Sequence, residues 1–274
     1  MFRYLLTVAM LGVLVSCTTA QAIVLDWDTV TWANGSLSNS YDIDPANPGN
    51  DVTLTVAGNT AQLGSESTGQ LTPAITTNVT GGLSPAQNAL TLNLDLTSQA
   101  QAVTITVNFS ALYPQGVNNV SFSIFDVDFA SSSGNSGANF QDQIRNITAT
   151  TVGGATISPF SITTSSANAL TGSGLGQVVT GNATASDTTS AGNVLINFGT
   201  AAITSFSFTY GSGSGTNADP TAQHIAIGDI SFTPVPEMNP AWTAFGSCGF
   251  AALGALLHRR KVRNAQRRGD VVRF

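Results

Sequence analysis

Three pairs of aspartates, each with one residue between its two members, are the part of this sequence best suited to chemistry. They are Asp26/Asp28, Asp42/Asp44 and Asp126/Asp128. Residues i and i+2 of a β-strand point to the same face, so each pair places two carboxylates close together. Clustered hard oxygen ligands are what Ca²⁺ prefers. Glycoside hydrolysis also uses two carboxylates, although such a pair normally comes from different strands across a cleft.

The segment that holds Asp126 and Asp128 changes its apolar phase. The apolar side chains switch faces at Phe125, and a second switch occurs at Asp229 in the last predicted strand. Such a switch predicts a β-bulge, and bulges often re-aim side chains near functional sites. We therefore expect Asp126, Asp128 and Asp229 to converge on one Ca²⁺. The alternative is that these residues are solvated acids at the ends of strands.

Other catalytic arrangements have little support in the sequence. His224 is the one histidine of the central region, because His258 belongs to the C-terminal tail, and Cys17 and Cys248 both lie in terminal segments. No G-x-S-x-G nucleophile motif occurs. Neither a disulfide framework nor a transition-metal site is expected. We expect a protein that is not an enzyme.

The elements that must position these residues are strands. Apolar and polar residues alternate with period two, for example over Val52–Val56, Leu90–Leu96, Val103–Phe109 and Val120–Phe129. Clusters of Gly, Asn, Ser and Pro separate such runs, and no window of ten or more residues shows a helical period. The pattern predicts one all-β domain over residues 23–233, an antiparallel β-sandwich or jelly roll.

Aromatic side chains offer a second binding chemistry, since sugar-binding jelly rolls present aromatic platforms. Candidates are Trp27, Trp32, Tyr41 and Tyr113. Trp27 continues the alternation that begins at Ile23, so a place in the core is the alternative for that ring.

Charge is distributed unevenly along the chain. Charged residues make up 9% of the protein, against roughly 25% in an average soluble protein. Residues 23–236 carry thirteen acidic residues and one basic residue, Arg145, a formal charge of −12. Such a body lacks the cationic surface that a phosphate backbone needs, which excludes nucleic-acid binding. Thr, Ser, Asn and Gln stand where Lys and Glu would be usual. High β-propensity of Thr explains part of this, and contact with polysaccharide is the other explanation.

The N-terminus has the layout of a secretory signal peptide, residues 1–22. Arg3 supplies the positive region, Leu5–Val15 the apolar region, and Ala20 and Ala22 the small residues of the cleavage site. The residues up to Cys17 also resemble a bacterial lipobox, so lipidation of that cysteine is the alternative.

Residues 234–274 have three parts in a fixed order. Val235-Pro236-Glu237 comes first, and an apolar run over residues 241–257 follows. A basic cluster then includes Arg259, Arg260, Lys261 and Arg263. The run is at the short end of the ~17 to 25 residues that span a bilayer. Cations behind it would hold the tail in the cytoplasm.

These three parts resemble the PEP-CTERM sorting signal of Gram-negative bacteria, which combines a Val-Pro-Glu-Pro motif, a short hydrophobic helix and an arginine cluster. Met238 stands in place of the second proline, and Trp242 matches a frequent tryptophan of the family. The resemblance implies export across the inner membrane and transient anchoring in it. It also implies processing near the motif by an exosortase-like protease, and a final place at the cell surface or in an exopolysaccharide matrix.

The sequence therefore predicts an exported, non-enzymatic protein of the cell surface or the exopolysaccharide matrix. Two alternatives remain open. One is a calcium-dependent glycan-binding jelly-roll module, and the other is a glycoside hydrolase that uses Asp126 and Asp128.

Overall fold

The computed structural model describes residues 21–66, 69–131 and 138–237. Most of the predicted signal peptide, the apolar run over residues 241–257 and the basic cluster after it lie outside these residues. Within the described part of the chain, no helix is long and apolar enough to cross a membrane.

The described residues form sixteen strands and three short 3₁₀ turns. The strands are β1 (Ile23–Leu25), β2 (Ser38–Tyr41), β3 (Val52–Gly58), β4 (Ala74–Thr76), β5 (Ala89–Leu94), β6 (Ala102–Phe109), β7 (Val117–Phe125), β8 (Phe129–Ser131), β9 (Ala138–Thr151), β10 (Thr156–Ile157), β11 (Ser161–Thr164), β12 (Asn168–Thr171), β13 (Val178–Gly181), β14 (Val194–Asn197), β15 (Ile203–Ser212) and β16 (Gln223–Pro234). The turns cover Thr60–Gln62, Gly174–Gly176 and Ser190–Gly192.

The strands pair antiparallel into one curled sheet that folds into two layers. The first layer has the order β2-β3-β6-β15-β9-β13-β12, and the second has the order β11-β14-β7-β16-β5-β4. A single pair, Ile203 opposite Val117, connects β15 to β7 and so joins the layers. Strand β1 pairs with the end of β16, while β8 and β10 pair with β9. The prediction of an all-β antiparallel fold is confirmed.

The hydrophobic core lies between the two layers. Phe122 of β7 stacks on Phe206 of β15 with ring centroids 4.7 Å apart. The ring centroids of Phe109 of β6 and Phe232 of β16 lie 4.9 Å apart, with the two rings tilted by 56°. These contacts join the layers because each pairs a strand of the first with a strand of the second. Alternation along β6, where Val103, Ile105 and Val107 are buried, supplies the inner face.

Both phase switches seen in the sequence mark breaks in the strands. Strand β16 carries an extra residue opposite β7 between Ile227 and Ile230, as a β-bulge at Gly228-Asp229 requires. Strand β7 ends at Phe125, whose ring leaves the main core for a small cluster with Val79, Ala89 and Ala226. The backbone changes direction directly after β7, and this change sets the orientation of the side chains of Asp126 and Asp128.

Arg145 lies in the middle of the first layer. Its strand, β9, pairs with β15 on one side, where Thr209 is opposite Arg145. On the other side of β9, strand β13 pairs with Gln143 and Ile144, the two residues before Arg145. The guanidinium donates a hydrogen bond from Nη1 to Gln143 Oε1 over 2.9 Å.

Candidate functional site

An acidic pocket of about 240 Å³ lies where β7 ends, between the start of β16 and the loop from β13 to β14. Its lining residues are Asp126, Asp128, Phe140, Thr184, Ala185, Asp187, Ala222, Gln223 and His224. A larger groove of about 480 Å³ lies beside β1, lined mainly by apolar residues of segments 21–24 and 43–46. The acidic pocket is the candidate site, because titratable side chains converge in it.

The backbone at Asp126 has an unusual conformation that builds this pocket. Its φ is +64°, in the left-handed region that aspartate visits more readily than most residues. The turn is held by its neighbours, since Val127 N donates to Gly192 O over 2.9 Å. Gly192 has no room for a Cβ, which would lie 2.9 Å from the Cα of Asp126. The carboxylate of Asp126 is thereby directed toward β16.

His224 of β16 meets two carboxylates in the pocket. Its Nε2 lies 3.1 Å from Asp126 Oδ2 and 3.6 Å from Asp187 Oδ2. One ligating atom from each of the three residues falls within 4.8 Å of the other two. The three side chains come from three separate segments: the end of β7, the loop after β13 and the start of β16.

The charges in the pocket keep His224 protonated at neutral pH. Burial is the largest effect on this imidazole and lowers its pKa. The hydrogen bond to Asp126, the charge of Asp126 and the charges of Asp187 and Glu66 together outweigh burial and raise the pKa to about 9. His224 is therefore a cation that partly neutralises the carboxylates around it.

Asp128 is buried beside this group. Burial and, after it, the charge of Asp126 raise its pKa to about 6 against the hydrogen bond from Ala185 N, which lowers it. Ala185 N donates to Asp128 Oδ2 over 2.7 Å. The backbone N–H of Asp128 donates in turn to Asp142 Oδ2 over 3.1 Å. Asp128 is thus ionised at pH 7, although its environment opposes the charge.

Asp142 and Tyr210 form a buried hydrogen-bonded pair next to the backbone of Asp128. Asp142 is fully buried in β9, and Tyr210 OH donates to its Oδ1 over 2.8 Å. Burial, followed by the charge of Asp128, raises the pKa of Asp142 well above its ordinary value. Burial likewise raises the pKa of Tyr210, and the charge of Asp142 adds to the shift. This pair fixes the backbone of Asp128 and does not line the pocket.

Two carboxylate oxygens in the pocket lack partners. Asp126 Oδ1 and Asp128 Oδ1 are buried and accept no hydrogen bond from any described residue. Their residues are 7% and 3% exposed. Buried polar atoms nearly always have a partner, so an unpaired pair in one pocket is an unusual feature.

The structure brings together two of the three aspartates that were expected to bind Ca²⁺. Asp229 lies elsewhere: its Oδ1 accepts a hydrogen bond from Trp27 N over 3.1 Å. Burial raises the pKa of Asp229 against that hydrogen bond, and the neighbouring charges that raise it further are Asp26 and Asp28. The bulge directs Asp229 toward Trp27, in the chain after β1. The side chains that join Asp126 and Asp128 in the acidic pocket are those of His224 and Asp187.

The aspartate pair Asp42/Asp44 belongs to a hydrogen-bonded loop. Asp51 is fully buried there, and its Oδ2 accepts hydrogen bonds from Ile43 N and Asp44 N, both over 2.7 Å. Tyr113 OH donates to Asp51 Oδ1 over 2.9 Å. Burial and the hydrogen bond to Asp51 raise the pKa of Tyr113. The local carboxylates satisfy backbone donors, which is a structural use of these side chains.

The four aromatic residues considered as sugar platforms are buried. Trp27 is 1% exposed, and the other three, Trp32, Tyr41 and Tyr113, are between 5% and 6% exposed. The indole of Trp27 donates to Gly228 O over 3.0 Å and packs edge-on against Tyr41. These rings are core residues, as the alternation predicted for Trp27, and none of them presents a face to solvent.

A second polar surface covers the outer side of the first layer. We term it the hydroxyl face. Ten residues of β2, β3, β6, β15 and β9 form it in two rows: Ser38, Thr55, Thr106, Ser207 and Thr148, then Ser40, Thr53, Asn108, Ser205 and Thr150. All ten reach solvent, and none carries a charge.

Hydrogen bonds across strands occupy part of the hydroxyl face. Ser40 Oγ and Thr53 Oγ1 lie 2.8 Å apart, and Thr148 Oγ1 and Ser207 Oγ lie 3.4 Å apart. At the centre, the side chain of Thr106 makes no hydrogen bond to another described residue. The face therefore keeps hydroxyl groups that are free to bond a ligand.

Comparison with known proteins gives distant likenesses of the fold. No family model matches the chain, and no curated protein matches it. Among solved structures, the mannan-recognising carbohydrate-binding module TmCBM27 is 10% identical, covers 79% of this chain and 100% of its own, and gives a TM-score of 0.32. CBM28, specific for non-crystalline cellulose, is 13% identical over 58% of this chain and 78% of its own, with a TM-score of 0.32.

A third likeness is the family 11 carbohydrate-binding module from Clostridium thermocellum, solved with a mixed-linked tetrasaccharide. It is 12% identical, covers 81% of this chain and 100% of its own, and gives a TM-score of 0.29. All three likenesses are to carbohydrate-binding modules. Their TM-scores are low, so no ligand or site residue carries over from them to this chain.

Sequence reasoning missed two members of the acidic pocket. The sequence predicts no role for His224, the one histidine of the central region, and Asp187 lies in a loop without periodicity. One feature of the sequence does point to His224. It lies near the start of β16, and β16 and β7 are the two strands in which the apolar phase switches. Asp187 has no comparable signal, because its position depends on how the loop from β13 to β14 crosses the end of β7.

Proposed function

We propose that this protein is a non-catalytic glycan-binding module that is exported to the cell surface or the extracellular matrix. The observation that carries the proposal is the hydroxyl face, a five-stranded exposed surface of hydroxyl and amide groups without a charge. The aromatic candidates are in the core, so binding rests on hydrogen bonding.

A neutral polyhydroxyl polymer fits such a surface. Each Ser or Thr hydroxyl donates one hydrogen bond and accepts others, as sugar hydroxyls do. Neighbouring strands lie about 5 Å apart and same-face residues about 7 Å apart along a strand, which gives a regular array. No ion has to be desolvated when a neutral chain covers this array, and stripping an ion of water is the costly step at charged surfaces.

The acidic pocket supports the non-catalytic part of the proposal. Asp126 and Asp128 come from one turn, and His224 is paired with Asp126 over 3.1 Å. The pocket volume of about 240 Å³ is below the roughly 300 Å³ at which ligand pockets begin. A glycosidase needs two carboxylates on opposite sides of the bond that it breaks, whereas Asp126 and Asp128 leave the same turn of the chain.

Delivery to the cell surface is proposed from the sequence. Residues 1–22 direct export, the apolar run over residues 241–257 halts in the membrane with its basic cluster inside, and an exosortase-like protease processes the chain near Val235-Pro236-Glu237. Pro236 and Glu237 follow β16 and are solvent-accessible. Mass spectrometry of the protein from the cells that make it tests this route. We expect a mature chain without the basic cluster, and a mature chain that retains Arg259 to Phe274 contradicts the proposal.

Glycan binding is tested by retention of the full chain on neutral polysaccharides. The panel includes mannan, non-crystalline cellulose and mixed-linked β-glucan, together with the exopolysaccharide of the producing cells. Thr106→Arg places a long cation at the centre of the hydroxyl face, and we expect it to weaken binding at least tenfold. Thr163→Arg, at an exposed position of β11 in the other layer, is the matched control and should bind like the wild type. Wild-type protein that binds no polysaccharide of the panel overturns the proposal.

A further inference from the structure

The acidic pocket holds more negative charge than its described residues neutralise. Three carboxylates, those of Asp126, Asp128 and Asp187, share the pocket with one basic side chain, His224. Asp126 Oδ1 and Asp128 Oδ1 are also buried without any hydrogen-bond partner among the described residues. Both features are costly for a folded protein, and a hydrated cation relieves both, since the ion supplies positive charge and its bound water molecules can donate to the free oxygens.

The spacing of the side chains suits a metal ion. Bonds of about 2.0 to 2.2 Å from a metal to imidazole nitrogen or carboxylate oxygen place neighbouring ligand atoms about 3 to 3.5 Å apart. His224 Nε2 lies 3.1 Å from Asp126 Oδ2 and 3.6 Å from Asp187 Oδ2. Both separations from His224 are at or close to this range, and the carboxylate oxygens of Asp126 and Asp187 lie within 4.8 Å of each other, so a small adjustment of the side chains brings all three atoms onto one ion.

We propose that the acidic pocket binds one divalent cation through the carboxylates of Asp126 and Asp187 and the imidazole of His224, whose Nε2 releases its proton to solvent when the ion binds. Asp128 lies beside the ion and adds negative charge. The pocket leaves the remaining coordination positions to water. One imidazole among carboxylates favours a transition-type ion such as Zn²⁺ or Mn²⁺ over Ca²⁺, which takes oxygen ligands.

The ion would connect three segments that are distant in sequence. Asp126 follows β7, Asp187 lies in the loop from β13 to β14, and His224 begins β16. A ligand that binds the folded chain and not the unfolded one raises the melting temperature. At a free metal concentration of about one hundred times Kd, the rise for a domain of this size is about 5 to 10 °C.

The test is calorimetric titration of the chelator-treated full chain, in separate arms, with ZnCl₂, MnCl₂ and CaCl₂. No glycan is present, so the result is independent of the proposed function. We expect one ion per chain, with Zn²⁺ or Mn²⁺ bound at least tenfold more tightly than Ca²⁺. Thermal unfolding in the same buffers should show the higher melting temperature.

Two variants identify the ligands. Asp187→Asn changes a side chain that is 46% exposed and so leaves the core intact, and His224→Gln removes the imidazole. Each should weaken Zn²⁺ or Mn²⁺ binding at least tenfold. Asp95→Asn removes an exposed carboxylate outside the pocket and is the control, with unchanged affinity.

Three results overturn the proposal. The first is a wild-type chain that binds none of the ions at millimolar concentration. The second is wild-type affinity in both Asp187→Asn and His224→Gln. The third is a preference for Ca²⁺ that His224→Gln leaves unchanged, since this result indicates a site built from oxygen ligands alone.

Discussion

Replacing His224 with glutamine should remove the part of the pH dependence of stability that this imidazole contributes between pH 6.5 and about 9. In the metal-free protein, the pKa of His224 rises from 6.5 to about 9. Burial alone would lower it, and the hydrogen bond and charge of Asp126, with the charges of Asp187 and Glu66, are what raise it. Glutamine keeps the approximate size and polarity of the side chain but cannot carry the charge.

The sign and size of the effect follow from the two pKa values. A group whose pKa is higher in the folded state stabilises the fold fully below its unfolded pKa and loses that contribution as pH rises through its folded pKa. For His224 this window runs from pH 6.5 to about 9. At about 1.4 kcal/mol for each unit of pKa difference, the wild type should lose about 3 kcal/mol more than His224→Gln across it.

Urea denaturation in the presence of a chelator measures this loss. Free energies of unfolding at half-unit steps from pH 6 to pH 9 give the slope for each variant. The buried tyrosines do not disturb the window, because burial raises their pKa values from 10 upward. Titrations common to both chains cancel in the difference between wild type and His224→Gln.

Asp187→Asn provides an intermediate case. The charge of Asp187 also raises the pKa of His224, but less than the hydrogen bond and the charge of Asp126 do. We expect a smaller loss of stability with pH than in the wild type and a larger one than in His224→Gln. If His224→Gln kept the wild-type fall between pH 7 and pH 9, the ion-pair reading of this pocket would be refuted.

Three further predictions concern the fold and the site. Phe206→Ala should cost about 3 to 5 kcal/mol in the free energy of unfolding, because the ring stacks on β7 between the layers; denaturant titration measures it, and a loss under 1 kcal/mol would contradict the packing. Gly81→Ala should destabilise more than Gly154→Ala in thermal unfolding. Both glycines have positive φ, but a Cβ at Gly81 meets the ring of Phe125 and at Gly154 meets nothing. Asp229→Asn should leave cation affinity unchanged in calorimetry, whereas a tenfold loss would place Asp229 in the site.

Local alternation predicted the strands well where each strand stays in one layer. The run Val103–Phe109 is most of β6. The segment 155–164 behaves differently, because Thr156–Ile157 forms β10 beside β9 and Ser161–Thr164 forms β11 beside β14. The chain crosses from one layer to the other there. Period-two alternation indicates which side chains are buried. It does not indicate which strand pairs with a given strand in the sheet.

The candidate site shows a similar limit. The phase switch at Phe125 located Asp126 and Asp128 correctly at a break in β7. The equivalent switch beside Asp229 located the bulge in β16, and the bulge directs that carboxylate toward Trp27. A switch in phase indicates where the backbone bends, but it does not indicate toward which neighbouring segment the side chains then point. Convergence of Asp187 with His224 depends on pairing between distant segments, which one sequence does not encode locally.

The placement of Arg145 has a consequence for proteolysis. A protease that cuts after lysine or arginine finds one site between residues 23 and 236, since this stretch has no lysine and a single arginine. That site lies within β9, whose backbone pairs with β15 on one side and β13 on the other. Cleavage needs an extended segment released from its neighbours, so the first layer must open before the enzyme can bind. A trypsin-like enzyme can therefore cut residues 23–236 once, and only after the first layer has opened.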